Sequence, residues 1–309
     1  MRGRAESALR LLALVLAAAC GGRDAFAAEG RLPELSFEKD GSLTGGKRLL
    51  DIVRGKFPDV PGFVFDAWCY ESPLTLVEHR KLAGGVLELR HRVNEQGHVL
   101  VVTSVTPEPG AVEFSARAEL DPRHQPGARL PNVLPVPNLC WQVRRAQGFK
   151  SEPDPYPEFI KRCFLFTEQR RTFLDQTTRR KLLYRDPPLA PDAPHNNPPW
   201  VQMYVGTWRE VPVPTKGFWA NYSPDRYTIP VMGVVSRDGK HLAALASGSA
   251  GEMAQAWHDC LHNNPPWEPA RASPGERRWR VKVYVMANDP ARLLERVKAD
   301  FPEAGKPSR

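Results

Sequence analysis

Proline is spread along most of this chain and limits what the chain can fold into. The 309 residues include 31 prolines and 23 glycines, and a proline inside a helix removes a backbone hydrogen bond and clashes with the preceding turn. Long uninterrupted helices are therefore excluded, and with them a helical bundle or a coiled coil. Because 41% of the residues are hydrophobic, the chain has enough apolar material for a sizeable core built from many short strands.

Alternating apolar and charged residues give the clearest sign of secondary structure. Residues 86–93 and 112–120 each place apolar side chains on one side and charged side chains on the other, which is the two-residue period of a half-buried strand. Residues 99–106 lie between these two segments, and a Pro-Glu-Pro-Gly turn precedes the last one. The pattern predicts three successive antiparallel strands. Cross-strand charge pairs are also predicted, Arg90 or Arg92 with Glu113 or Glu119.

Further strands and two short helices are predicted along the rest of the chain. The strand candidates are residues 48–53, 62–70, 74–80, 139–145, 162–167, 201–205, 227–236, 241–246 and 279–286. Pro290–Asp300 has proline in its first turn and an apolar stripe, which predicts a C-terminal helix. Residues 252–261 carry Met253, Trp257 and Leu261 at helical spacing. The sequence therefore predicts an all-β chain, a large antiparallel β-sandwich with one or two short helices.

The first residues have the pattern of a signal peptide. Three arginines precede an apolar stretch at residues 11–20, which is too short to cross a bilayer of roughly 30 Å as a helix. A small-x-small cleavage site ends at Ala27, so residues 1–27 are expected to direct export to the periplasm or the cell exterior. The alternative is that Cys20 is the lipidated cysteine of a bacterial lipoprotein, which would anchor the protein to a membrane.

Residues 28–309 are expected to form a single β-sandwich domain, and two smaller sandwiches joined near residues 121–137 are the alternative. Four cysteines lie in this part, and in an oxidising compartment they permit two disulfides in any of three connectivities. They are Cys69, Cys140, Cys163 and Cys260.

The formal charge of +8 is spread over short basic pairs rather than one stripe, so nucleic acid is not an expected partner.

The hexapeptide His-Asn-Asn-Pro-Pro-Trp occurs twice, at residues 195–200 and 262–267. In each copy the asparagines are expected to cap a local turn, and the prolines to stiffen an extended approach to the tryptophan. Just ahead of the second copy, His258 and His262 are candidates for general acid–base chemistry near neutral pH. A metal-binding pair, or histidines that only hydrogen-bond the turn, are the alternatives.

Polar and aromatic side chains elsewhere could bind a ligand. Glu78 and Glu113 are candidate carboxylate bases. The candidate binding residues are arginines that could hold hydroxyl or carboxylate groups and loop tryptophans that could stack on sugar rings: Arg90, Arg92, Arg144, Trp200, Trp219 and Trp267. Ordinary surface charge and core packing are the alternatives for these residues. His91 lies on the apolar side of its strand and is interpreted as a core histidine.

The meander at residues 86–120, with residues 234–240 ahead of the histidine cluster, resembles the galactose-mutarotase-type β-supersandwich of aldose epimerases and several polysaccharide lyases and glycosidases. The resemblance implies a histidine acid and a glutamate base, for which His258 or His262 and Glu113 or Glu78 are the candidates. The sequence therefore predicts an exported carbohydrate-active protein that binds or processes a sugar or polysaccharide. A non-catalytic glycan-binding or cell-envelope structural protein is the alternative. Carbohydrate is the expected partner, and neither a cofactor nor a metal is expected.

Overall fold

Two β-sheets share one apolar core, so the predicted all-β sandwich is confirmed. The structure is a computed structural model. It describes residues 30–38, 43–44, 47–60, 63–70, 74–94, 97–121, 123, 129–130, 134, 139–142, 148–149, 155–168, 170–178, 202–212, 221–248, 252–255, 260–269 and 277–306. The described residues from Arg31 onward form one compact unit. The predicted signal peptide and Cys20 lie outside the described residues.

The described part of the chain contains nineteen strands and two α-helices. The strands are β1 (Glu34–Glu38), β2 (Leu43–Thr44), β3 (Lys47–Lys56), β4 (Val64–Tyr70), β5 (Leu74–Lys81), β6 (Leu87–Val93), β7 (Val99–Glu108), β8 (Ala111–Leu120), β9 (Leu139–Gln142), β10 (Cys163–Thr167), β11 (Arg170–Phe173), β12 (Gln202–Tyr204), β13 (Asn221–Tyr222), β14 (Ile229–Val235), β15 (His241–Ala246), β16 (Glu252–Gln255), β17 (Cys260–Asn264), β18 (Glu268–Pro269) and β19 (Arg277–Ala287). The helices are α1 (Pro155–Arg162) and α2 (Pro290–Asp300). Every predicted strand overlaps an observed one.

The two sheets contain nine and ten strands. The nine-stranded sheet runs in the order β1-β3-β4-β9-β17-β16-β12-β13, with β2 paired to β3. The ten-stranded sheet runs β11-β10-β14-β15-β19-β8-β7-β6-β5, with β18 paired to β19. Among the described strands, β12 and β13 form the one parallel pair. Strands β5 to β8 are sequential antiparallel neighbours, so the predicted meander is confirmed.

The core between the sheets receives inward-facing side chains from both. Trp141 and Leu261 come from the nine-stranded sheet, and Phe114, Trp279 and Val283 from the ten-stranded sheet, and none is more than 1% exposed. In β6 and β8 buried and half-buried residues alternate along most of the strand. Burial of this kind contributes about 25 cal/mol for each Å² of apolar surface removed from water, so the core fixes which face of each strand points inward.

The C-terminal helix α2 covers part of the outer face of the ten-stranded sheet, and its bounds are those predicted. The Asp289 side chain caps it by accepting a hydrogen bond of 3.0 Å from the backbone N–H of Arg292, and Pro290 occupies the first turn. Leu293 and Val297 are fully buried and pack in a second apolar cluster with Tyr284 of β19.

A buried lysine ties α2 to the sheet. Lys282 is 2% exposed, and its Nζ lies 2.6 Å from Oε2 of Glu108 and 2.9 Å from Oδ2 of Asp300 in the last turn of α2. The Tyr284 hydroxyl donates a 2.6 Å hydrogen bond to the same Asp300 oxygen. Burial and the Asp300 carboxylate raise the pKa of Tyr284 well above its usual range, so it stays a neutral donor.

We expect Lys282→Ala to lower the free energy of unfolding by roughly 2–3 kcal/mol, because Glu108 and Asp300 would lose their charge partner beneath α2. The matched control is Lys161→Ala, whose ion pair with Glu158 is exposed and should contribute much less to stability, because water and salt screen it. Urea denaturation measures both. Equal small losses would contradict the anchoring role.

The helix predicted for residues 252–261 is wrong. The described residues of this segment lie in β16 and β17, which pair antiparallel with Met253 opposite Asn263 and Ala254 opposite His262. Met253 and Leu261 are both buried in the core by the two-residue alternation of these strands. A short apolar run fits either period, and pairing with neighbouring strands decides it here. Residues 256–259 lie outside the described part.

The second hexapeptide copy does not make the predicted asparagine-capped turn, because its first three residues belong to β17. Asn263 is 1% exposed and connects the two sheets. Its Nδ2 donates to the carbonyl of Pro230 in β14 at 2.8 Å, and its Oδ1 accepts from the Ser247 hydroxyl at 2.8 Å. The first copy, residues 195–200, lies outside the described residues.

We expect Asn263→Ala to lower the free energy of unfolding by roughly 2 kcal/mol, because the Pro230 carbonyl and the Ser247 hydroxyl each lose a buried hydrogen bond. Asn94→Ala is the control, since Asn94 accepts a hydrogen bond from Thr75 at an exposed position. Thermal or urea unfolding should show a clearly smaller loss for the control.

Candidate functional site

The outer face of the ten-stranded sheet beyond α2 carries a dense array of charged side chains, which we call the charged face. It contains seven arginines and five carboxylates on or directly after β5, β6, β8 and β19. They are Glu78, Arg80, Glu88, Arg90, Arg92, Glu113, Arg117, Glu119, Asp121, Arg123, Arg278 and Arg280. Four of the sequence candidates, Glu78, Arg90, Arg92 and Glu113, therefore lie on one surface.

Strand register places these residues in rows across the sheet. Arg90 is opposite Glu78 on one side and Val102 on the other, and Val102 is opposite Arg117. Because directly opposed residues point to the same face, Val102 lies between two arginine side chains. Their aliphatic stems can cover it while the charged ends stay in water, which explains why Val102 is 0% exposed.

Two arginines and two glutamates form a closed network over β7. Arg90 donates from Nε to Glu88 at 3.1 Å and from Nη2 to Glu119 at 3.4 Å. Arg117 donates from Nε to Glu119 at 2.7 Å, and its Nη2 lies 3.8 Å from Glu88. The predicted pair of Arg90 with Glu119 is thus confirmed. It spans two strand spacings across β7, where Val102 is opposite Arg90 and Leu100 is opposite Glu119.

A second group of charges lies at the end of β8. Arg123 donates to both Asp121 carboxylate oxygens, at 2.9 and 2.7 Å, and Arg92 adds a contact of 3.4 Å. These hydrogen bonds, those from Arg123 above all, hold the pKa of Asp121 well below its usual range. Arg92 therefore pairs with Asp121 rather than with either predicted glutamate.

The two predicted carboxylate bases are both bound to arginine. Glu78 accepts hydrogen bonds of 2.6 and 2.9 Å from Arg80, which lower the pKa of the Glu78 carboxyl. Glu113 lies 2.7 Å from Nη2 of Arg280 at the edge of α2. Both carboxylates point away from the core.

The structure does not bring His262 together with either glutamate. Leu261 and Asn263 point into the core, so His262 between them points to the outer face of the nine-stranded sheet, where it is 8% exposed. Glu78 and Glu113 lie on the outer face of the other sheet, and packed sheets are about 10 Å apart. Both sheets therefore separate His262, one of the two predicted acids, from the predicted bases.

The other candidates are distributed as follows. Trp267 lies between β17 and β18, is partly buried and packs against the core. His91 is 3% exposed on the core side of β6, as its place in the alternation predicts. Four further candidates lie outside the described residues: Arg144, Trp200, Trp219 and His258.

Three further features concern ligands and membranes. Within the described part of the chain, no three His, Cys, Asp or Glu side chains are grouped to hold a metal ion. No helix there is long and apolar enough to span a membrane. Of the four cysteines, Cys163 is the one whose side chain the structure describes, and it is buried in β10; which cysteines pair stays a prediction.

Comparison with models of known protein families finds no family that matches this chain, and comparison with curated protein sequences finds no relative.

Sequence reasoning missed several members of the charged face. Arg117 is outward by the same alternation that selected Glu113, but its neighbour Arg278 lies on a strand far away in the chain. Asp121 continues the outward row of β8 but lies just beyond the predicted strand, which ends at residue 120. The alternation gives the face of each residue, whereas long-range strand pairing decides which residues become neighbours.

We expect Asp121→Asn to destabilise the protein in a pH-dependent way. Because the pKa of Asp121 is lowered in the folded state, its ionised form stabilises the fold above the unfolded-state pKa of about 3.9 and loses this effect as the pH falls further. The gap in urea midpoint between wild type and variant should be constant above about pH 5 and close below about pH 4. Parallel curves down to low pH would contradict this assignment.

Proposed function

We propose that this is an exported carbohydrate-binding protein and that the charged face is its binding surface. The observation that carries the proposal is the network of Arg90, Arg117, Glu88 and Glu119, whose donors and acceptors hold one another in place. Export rests on the signal-peptide pattern of residues 1–27.

The chemistry of this network suits a polyhydroxylated ligand. A guanidinium presents five N–H donors in a plane and a carboxylate presents two acceptor oxygens, so neighbouring sugar hydroxyls can donate to one and accept from the other. The hydrogen bonds to Glu88 and Glu119 use two of the five donors of Arg90. Side chains held in place before binding lose little conformational freedom on binding, which favours affinity.

Binding is better supported than acid–base catalysis by a histidine and a glutamate. His262 lies across the sandwich from Glu78 and Glu113, and each of these carboxylates is already engaged by an arginine. General acid–base catalysis needs the groups within hydrogen-bond reach of the same substrate atoms. Binding needs donors and acceptors in fixed positions, which the charged face supplies, and does not need a histidine and a glutamate at the same substrate atoms.

We expect Arg90→Ala to weaken glycan binding by about tenfold, which corresponds to about 1.4 kcal/mol. The full protein is screened on a glycan array, and isothermal titration with the best glycan then compares wild type and variant. Arg54→Ala is the matched control, because Arg54 has 24% side-chain exposure against 23% for Arg90 and also pairs with a carboxylate, Glu38.

Arg54 lies on the nine-stranded sheet, so the control should bind like wild type. Urea unfolding of both variants separates loss of binding from loss of fold. A protein that binds no glycan, or one whose affinity falls equally in both variants, would overturn the proposal.

A further inference from the structure

Two arginines of the charged face occupy directly opposite positions on neighbouring strands. Arg278 of β19 is directly opposite Arg117 of β8 in the strand register. Like charges at directly opposite positions of an antiparallel pair destabilise the sheet. A position of this kind favours any anion that can lie between the two guanidinium groups.

Among the described side chains, the neighbouring basic groups are paired with carboxylates and Arg278 is not. Arg117 pairs with Glu119 at 2.7 Å, and Arg280, the next outward residue of β19, pairs with Glu113 at 2.7 Å. Arg278 is exposed and makes no ion pair within the described part of the chain. It is therefore the basic group of this surface that is open to an external anion.

The charge of the whole surface agrees with this. The charged face has seven arginines against five carboxylates. Glu268 occupies the position opposite Arg278 on β18, and counting it still leaves an excess of positive charge. An anionic ligand is thus favoured over a neutral one of the same shape.

We propose that the charged face binds acidic saccharides, with Arg278 taking the carboxylate or sulfate group of a sugar and Arg117 beside it adding the N–H groups that it does not donate to Glu119. This inference rests on the proposed function and names its ligand class. Arginine binds both oxyanions through two parallel N–H···O bonds, which gives direction as well as charge attraction. Because Arg278 is exposed, this attraction is screened by salt over about 8 Å at physiological ionic strength.

The test compares polygalacturonate, dextran sulfate and neutral dextran by affinity electrophoresis of the full protein at low and high salt. Binding to either acidic polymer, weakened by salt and absent for dextran, is the expected result. The carboxylate and sulfate arms distinguish the two sources of negative charge. Binding to neutral glycans alone would overturn this inference but leave the proposed function standing, whereas no binding to any glycan would remove both.

Matched variants separate a local site from net charge. We expect Arg278→Gln to weaken binding of the acidic polymer by about tenfold, and Arg292→Gln, which removes the same charge from an exposed position on α2, to leave it within about twofold. Glu268→Gln should strengthen binding or leave it unchanged. Equal losses for the two arginine variants, or weaker binding for Glu268→Gln, would overturn the proposal.

Discussion

The two-residue alternation of β6, β7 and β8 is the constraint on which the rest of this structure depends. It sends Leu87 and Leu89 into the core and Arg90 outward within one strand. A register slip of one residue would exchange the two rows, and it would place guanidinium groups inside an apolar core, where an isolated charge is very costly. Core burial and the outward charges therefore specify the same register, and the same register defines the charged face.

Helix α2 covers one part of the outer face of the ten-stranded sheet and leaves the other part exposed to solvent. Under α2 its outer face is apolar and carries Tyr284 of β19 against Leu293 and Val297. The change to a charged surface occurs within β19. Lys282 lies beneath the last turn of α2. Arg280 lies at the end of that helix and donates a hydrogen bond of 3.4 Å to the Asp300 carbonyl. The length of α2 thus determines how much of the sheet remains available as a polar surface.

Sequence reasoning succeeded where local pattern and tertiary structure agree. The meander β6 to β8 alternates strongly, and α2 carries both an N-terminal cap and an apolar stripe, so both were predicted closely. The helix prediction for residues 252–261 failed because their apolar spacing fits a helix as well as a hairpin. Only the pairing of β16 with β17 shows that these residues form strands. The partners of the charged face were beyond reach, since Glu113 and Arg280 are 167 residues apart in the chain.

The binding role proposed for the charged face costs the fold little stability. Partly exposed ion pairs contribute about 0–1 kcal/mol each, so the network of Arg90, Arg117, Glu88 and Glu119 orders side chains more than it stabilises the sheet. Glu78 lies outside this network, and its pairing with Arg80 makes it a poor catalytic base, because that pairing lowers the pKa of Glu78 and a base is most effective when its pKa lies near the working pH. The proposed binding role uses these side chains as hydrogen-bond donors and acceptors that already hold one another in place, which is what recognition of a polar ligand requires.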